Sequence, residues 1–439
     1  MLKYLGILIV GILTSFYFFP FEFAILPGAN TKMILAGISL VVLAFQLARG
    51  GHAVINRELF TLSILAGLVS LAGLVSVTFN ETNDYTYATY IISMWVWLGG
   101  AYMAVSAMRG LHGRISVALI ANYLIGVCVA QCIIALLIDA SPAFKDIVNT
   151  YIASFDFVQF DQLNEGERLY GIGATLDVAG LRFSTVLAMI AYFCMQPNVR
   201  ANNVSLVAYL TSFCIIAIVG NMMARTTTMG VGLAMLYWLY RLFQDRNNRK
   251  ILWWIAGAMV IAVAISTYMY RVNPEFRQDI RFAFEGFFSL VEKGEWEVNS
   301  NNILKDMFIL PDNVKTWCIG DGYFDNPYYG DPYYTGPGFG GYYMGTDVGY
   351  LRFIFYFGLI GLGLFVYFFW RVAQVCVQRF RGYALLFLMI LAVNMIGWFK
   401  VSTDIFLVFA LFLCVPVEED EAVEEQLTDE RMSGERLVD

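Results

Sequence analysis

Runs of roughly 18 to 25 apolar residues recur along this chain, and each is long enough to cross a hydrocarbon core about 30 Å thick. Inside lipid every backbone polar group needs a partner within the protein, so a chain of this kind folds as a bundle of membrane helices. Composition agrees: 59% of the 439 residues are hydrophobic, 14% are charged and mean hydropathy is +0.63, far from the balance of a soluble domain. The runs place spans at about 4–26, 33–48, 59–79, 89–108, 115–138, 180–196, 204–223, 228–243, 251–270, 348–370, 383–398 and 403–416. The expectation is an all-α polytopic membrane protein of about twelve transmembrane helices. The last two arms are short, with only residues 400–404 between them.

Basic residues set the expected orientation, because Lys and Arg in short loops resist translocation. One set of connections carries Arg49, Arg57, Arg109, Arg114, Arg200, Arg241, Arg246, Arg249, Lys250, Arg371, Arg379 and Arg381, and is expected on the cytoplasmic side. The opposite short connections hold only Lys32, Arg225 and Lys400. Both termini are then cytoplasmic, and two long loops, about 139–179 and 271–347, lie outside. Residues 1–416 form one polytopic unit. The remainder, 417–439, holds much of the acid behind a net charge of −7 and is expected to be a disordered cytoplasmic tail. The first apolar run lacks a small-residue cleavage site, so it is read as retained. No internal repeat is visible, which counts mildly against an inverted-repeat transporter.

Several chemistries are excluded early. The two histidines, His52 and His112, lie in expected cytoplasmic loops, and no Cys/His cluster has zinc spacing. No metal or other cofactor is expected, and no Ser-His-Asp or Cys-His arrangement can form outside. Six of seven cysteines fall in or beside spans as small hydrophobes, and Cys318 is alone in an outer loop. Residues 336–341, GPGFGG, lack the Lys-Ser/Thr of a P-loop. No outward basic stripe suggests nucleic acid. Outward chemistry must rest on arginine, carboxylate and tyrosine.

The outer loops supply those groups. Residues 321–350 form a Tyr/Gly/Pro/Asp run too polar to span lipid; its flat aromatic faces and carboxylates suit sugar rings, although such a loop can also be a compact lid packed by its own rings. Arg225 follows span 204–223 directly, where a planar guanidinium fork suits a lipid diphosphate or simply snorkels to headgroups. Arg168, Asp177 and Arg182 cluster where the chain re-enters the membrane, with Gly171 and Gly173 permitting close backbone approach; they form either a polar pocket or a loop that satisfies itself. Residues 275–293 carry Phe276, Ile280, Phe284, Phe287, Phe288 and Val291 at helical spacing, which predicts one amphipathic helix on the outer surface. Its Arg277 and Arg281 share a face and either guide an anionic headgroup or snorkel. Asp347 and Arg352 flank Tyr350 where the loop dives into span 348–370, and charges at such a mouth usually line a cavity.

Four segments together resemble the O-antigen polymerase/ligase superfamily, the Wzy-type polymerases of bacterial polysaccharide synthesis. They are RLYGIGATLDVAG (168–180), ARTTTMGVGLAMLYWL (224–239), IGDGYF (319–324) and GTDVGYLRFIFYFGLIGLGLF (345–365), in an order and spacing that cover most of the chain. Two departures stand out. The ligase branch carries a histidine in its large periplasmic loop, which is absent here and disfavours ligase. Before the Gly-x-Gly element a basic residue is expected, and Lys305 in 299–308 is the only candidate there, so Arg277 or Arg281 is left to fill a second arginine role.

The resemblance implies a metal-independent glycosyltransferase in the bacterial inner membrane, multi-pass, with its active site facing the periplasm. It would join polyprenyl-diphosphate-linked oligosaccharide repeats into O-antigen, capsule or exopolysaccharide and release polyprenyl diphosphate. Arg168 and Arg225, then Arg182 and Arg352, would stabilise the leaving diphosphate. Asp347, then Asp177, would accept or position the acceptor proton. Tyr342, Tyr343 and Tyr350 would hold sugar rings. Donor and acceptor glycolipids and membrane lipids are the expected partners, with room for a chain-length regulator and a flippase. A ligase-like transferase, a lipid-linked glycan flippase or secondary transporter, and a non-catalytic assembly partner are the alternatives.

Overall fold

The computed structural model describes residues 2–49, 57–153, 168–244, 249–328 and 341–416, with side chains of 249–252 excepted. His52, most of the GPGFGG segment, residues 329–340 of the aromatic run and the acidic tail lie outside the described residues. A helix occupies each of the twelve segments expected to span: α1 Leu2–Phe18, α2 Thr31–Ala48, α3 Arg57–Phe79, α4 Tyr90–His112, α5 Val117–Ala140, α6 Leu176–Cys194, α7 Asn203–Met223, α8 Thr227–Gln244, α9 Arg249–Val272, α10 Gly349–Arg379, α11 Ala384–Gly397 and α12 Phe406–Leu413. Among the described residues eight helices, α2 to α7, α9 and α10, are long and apolar enough to cross a membrane. The protein is thus a helical, multi-pass membrane protein by length and composition.

Local chemistry sets the boundaries. Asn30, Ser116 and Asn202 cap α2, α5 and α7 by accepting from backbone N–H groups of the first turn. Helix α1 stops at Phe18, eight residues short of its expected end, because Pro20 follows. The chain then extends, and Glu22–Phe23 pairs antiparallel with Ile152–Ala153 of the first long loop. The expected amphipathic helix over 275–293 is two helices, Pro274–Ala283 and Glu285–Lys293, broken at Phe284. The carbonyl of Phe282, which would continue the ladder, instead accepts from Arg225 Nε at 3.0 Å.

Helix α6 lies at the centre, with every residue from Ala179 to Cys194 buried. It packs on α8 without a gap: Ser184 Oγ donates to Thr226 O at 2.8 Å and accepts from Gly230 N at 3.0 Å. Helix α12 is also wholly buried, whereas α9 presents Trp253, Val260, Ile261 and Val263 outward, as a lipid-facing helix does.

Helix α10 is interrupted at Phe357 and Gly358, where Gly358 takes φ +67°. A Cβ there would collide with the Cys318 and Ile319 backbone, so only glycine suits the site. The carbonyls freed by the break find partners: Asp321 N donates to Phe355 O, and Gly322 N and Ser76 Oγ donate to Tyr356 O. The IGDGYF segment is therefore plugged into the broken helix, the arrangement that makes irregular backbone tolerable within a bundle.

The helix ends sort into two groups. At one, Arg379 closing α10 binds Glu58 at the start of α3 and Leu413 O at the end of α12. At the other, the starts of α6 and α10 meet the connection between α11 and α12 through Lys400 and Asp177, and through Tyr350 N and Trp398 O.

Candidate functional site

That connection is longer than expected. It runs over residues 398–405 rather than 400–404, and Trp398, Val401, Ser402 and Ile405 are buried. Its polar groups are met internally: Trp398 Nε1 donates to Thr403 O, Tyr87 OH to Ser402 O, and Ile405 N to Asn394 Oδ1. The loop holds Lys400 against α6 and Ser402 against α10.

Arg352, 6% exposed, is fixed by three bonds: to Ser402 Oγ at 2.7 Å, Phe324 O at 3.0 Å and Asp325 Oδ1 at 2.6 Å. Its guanidinium lies between the rings of Phe324 and Tyr342, 3.7 and 4.6 Å from their centroids. The segment that brings Phe324 and Asp325 here is anchored on the turn after α3. Asp84 accepts from Phe324 N at 2.8 Å, Thr82 Oγ1 donates to Gly322 O, and Lys315 bridges Asn80 and Asp321. Burial raises the Asp325 carboxyl above its usual range, and Arg352 opposes the rise.

Asp347 stands beside this arginine. Burial pushes its carboxyl up to about 7; the nearby Asp177 carboxylate adds to the rise, while Arg352, Lys400 and a hydrogen bond from Tyr342 oppose it. Asp177, in the first turn of α6, lies 3.8 Å from Lys400 Nζ. The structure thus brings together Asp177, Tyr342, Asp347 and Arg352 from among the expected residues, and adds Lys400 and Asp325.

Arg225 and Arg168 meet at a second point. Arg225 binds Phe282 O, Ser300 Oγ at 3.1 Å and Glu285 Oε2 at 2.7 Å. Its guanidinium carbon lies 3.9 Å from the Phe282 ring centroid, and that of Arg168 lies 4.8 Å from the same centroid. Both points share α6: Thr226, next to Arg225, donates to the backbone carbonyl of Asp177 at 3.4 Å. Gly173, at φ +69°, lets the loop after Arg168 pack where a Cβ would strike Phe19 O.

The other expected residues lie apart from these contacts. Arg277 caps the end of α9 by donating to Tyr270 O, and Arg281 makes a two-armed pair with Glu292 while bonding Tyr270 OH. Tyr350 is engaged in packing, its hydroxyl donating to Met395 O and its ring against Trp398 and Phe399. Tyr343 stands between Tyr323 and Phe355, its hydroxyl 3.4 Å from Asp321 Oδ2. Arg182 is buried at 7% exposure, one and a half turns below Asp177 on α6, over the ring of Phe19. Lys400 does not stand out in the sequence as a site residue because it fills the turn between two apolar runs, and Phe282 does not because it reads as one more ring in an aromatic helix.

Between α7 and α9 runs an apolar groove of about 490 Å³, lined by Leu210, Ile218, Trp254, Ile261 and Met269 and bounded by Phe276. The same short helix, Pro274–Ala283, therefore closes the groove with Phe276 and holds the two arginines with Phe282. Among the described residues no group of three or more His, Cys, Asp or Glu side chains gathers in a metal-holding arrangement. Comparison of the chain with protein-family models, curated proteins and solved structures yields no significant match, so its functional reading rests on its own residues.

Proposed function

We propose that the protein is a membrane glycosyltransferase that joins polyprenyl-diphosphate-linked oligosaccharide repeats into surface polysaccharide on the outer face of the bacterial cytoplasmic membrane. The observation that carries the reading is the polar cluster at the start of α10, where Arg352 lies over Tyr342 and Lys400 reaches Asp177; burial pushes the carboxyl of Asp347 there up to about 7, so it can exchange a proton near neutral pH. In the reaction, an acceptor sugar hydroxyl attacks the anomeric carbon of the donor. The bond from that carbon to the diphosphate oxygen breaks, the diphosphate leaves with the electron pair, and the hydroxyl proton passes to Asp347. Arg168 and Arg225, held on Phe282, offset the charge that builds on the leaving group. Tyr342, beside Asp347 and Arg352, offers a ring face to a sugar. The groove between α7 and α9 suits a prenyl chain. Deleting the gene should collapse the size ladder of the surface polysaccharide to single repeats; an unchanged ladder would contradict the proposal.

A second reading, a transporter of lipid-linked glycan, is favoured by two features: helix α10 is broken at Gly358, and charged Arg182 is buried within the bundle. It predicts repeats trapped on the cytoplasmic face of the membrane in the deletion strain, whereas the transferase predicts repeats on the outer face.

A further inference from the structure

The apolar stripe expected along residues 275–293 does not stay on one surface. Phe276 bounds the groove between α7 and α9, Ile280 is buried, and Phe288 stacks on Tyr270 with ring centroids 5.8 Å apart. A different set is left facing outward. Phe287, Leu290 and Val291, three and four residues apart on the short helix Glu285–Lys293, share one face. All three are exposed, Val291 to 85%. Trp296, also exposed, extends the patch, its ring edge-on to that of Phe287 with centroids 4.9 Å apart. The indole is seated on Gly286, where a Cβ would come within 2.6 Å of it.

A helix that faces water turns its charges outward. Here the charges lie off the outward face and are already paired, Glu292 with Arg281 and Lys293 with Glu297. Ser289, on the inner side, spends its hydroxyl on the backbone, donating to Glu295 O and accepting from Glu297 N. The level of the patch follows from α9. The 24 residues of that helix are about 36 Å long at 1.5 Å per residue, a little more than a hydrocarbon core of about 30 Å. Its last turns carry Tyr268, Tyr270 and Arg271, residue types that settle where lipid meets water. The short helix is pinned there, because Phe288 stacks on Tyr270 and Arg281, bonded to Glu292, also bonds Tyr270 OH at 3.2 Å. Helix α9 is itself the least buried of the eight long apolar helices, so the patch is docked on the end of a lipid-facing span. Four side chains are also too few for a stable protein partner, which takes about 20 to 30 residues a side.

We propose that Phe287, Leu290, Val291 and Trp296 form an anchor that embeds in the lipid surface at the end of α9, about 5 to 10 Å into the boundary between headgroups and acyl chains. Glu285 opens the same helix, pairs with Arg225 at 2.7 Å and accepts from Asn299 N. The anchor thereby fixes the depth of Arg225 relative to the lipid headgroups. The inference does not rest on the transferase reading, and its test reads depth rather than polymer.

The full chain with Cys318→Ser, which removes the exposed thiol, is placed in nanodiscs of phosphatidylcholine and phosphatidylglycerol with a nitroxide at Val291→Cys or Leu290→Cys. Asn301→Cys, exposed on the helix Asn299–Asp306, and Val263→Cys, outward on α9, are the aqueous and lipid references. The Cys318→Ser chain alone sets the background. Collision with oxygen, which concentrates in lipid, is compared with collision with a water-soluble nickel chelate. Both test positions are expected to favour oxygen, at a depth of about 5 to 10 Å below the phosphates and between the two references; either position decides the matter if the other labels poorly. Chelate access equal to that at Asn301 places the face in water and overturns the proposal. Low access to both reagents overturns it too, whether a second copy covers the face, shown by spin–spin broadening lost on dilution with unlabelled chain, or another part of the same chain does.

Discussion

Arg168 and Arg225, drawn from two different connections of the chain, place their guanidinium groups against one ring, that of Phe282, at 4.8 and 3.9 Å from its centroid. Like charges held this close need a reason, and Glu285 supplies part of it through its 2.7 Å contact with Arg225. The ring supplies the rest by offering its negative face to both. On the proposed reading the two guanidinium groups stand where the charge of a leaving diphosphate builds, their positions set by the fold.

Removing that ring should cost function more than fold. Phe282→Ala is expected to lower polymer formation about tenfold, in keeping with about 1 to 2 kcal/mol for cation–π contacts shielded from water. Phe282→Tyr should retain most of the activity. Protein level and thermal midpoint in detergent, measured beside polysaccharide yield, separate the two effects; an inactive Phe282→Tyr of normal stability would contradict the shared-ring role.

Asp347 sets the expected pH dependence of the reaction. Its carboxyl is pushed up to about 7 by burial and by Asp177, and only the ionised form accepts a proton. Activity of purified protein should fall as pH drops below about 7, and Asp347→Asn should lose most activity at every pH. A wild-type profile flat from pH 5 to 8 would remove Asp347 from the proton path.

Asp279 carries an expected pH dependence of stability instead. Burial, then the neighbouring Asp139 and Glu275, raises its carboxyl to about 7, against an unfolded value of about 4. A raised carboxyl holds its proton longer when folded, so the stability it lends is present in full below about pH 4 and is lost as pH rises through about 7. Asp279→Asn should unfold at a higher temperature than wild type at pH 8, with the gap closing toward pH 5. A gap that widens at low pH would refute this sign.

Gly358 tests the broken helix. Alanine there must adopt φ +67° and would press on the Cys318 and Ile319 backbone. With ψ −175°, the site lies in a region essentially reserved for glycine, and strain of about 1 to 3 kcal/mol adds to that clash. Gly358→Ala should lower the thermal midpoint and expression, whereas Gly363→Ala in the same helix, which meets nothing within 4 Å, should be silent. Equal behaviour of the two would show that the break is not structural.

The bundle was legible because apolar runs of spanning length leave few alternatives, and a helix stands in each of the twelve segments. What the runs hide is where a helix breaks. The stretch around Gly358 reads as one continuous apolar span, and its interruption depends on residues 319–322 arriving from a distant loop to bond Phe355 O and Tyr356 O. The site divides the same way. Asp177, Asp347 and Arg352 are visible as charges at helix mouths, and they do come together. Lys400 and Asp404 look like an ordinary turn, since nothing local says that residues 398–405 are drawn into the bundle. Arg277 and Arg281 share a face as their spacing requires, yet that face meets Tyr270 rather than the other arginines.

The central claim is tested most directly by the surface polysaccharide size distribution, resolved on a gel, in a deletion strain complemented with wild type, Arg225→Ala or Asp347→Asn at matched protein levels. The account predicts a full ladder with wild type and single capped repeats in the deletion and in both variants. A full ladder with Arg225→Ala and Asp347→Asn, or in the deletion itself, would contradict it.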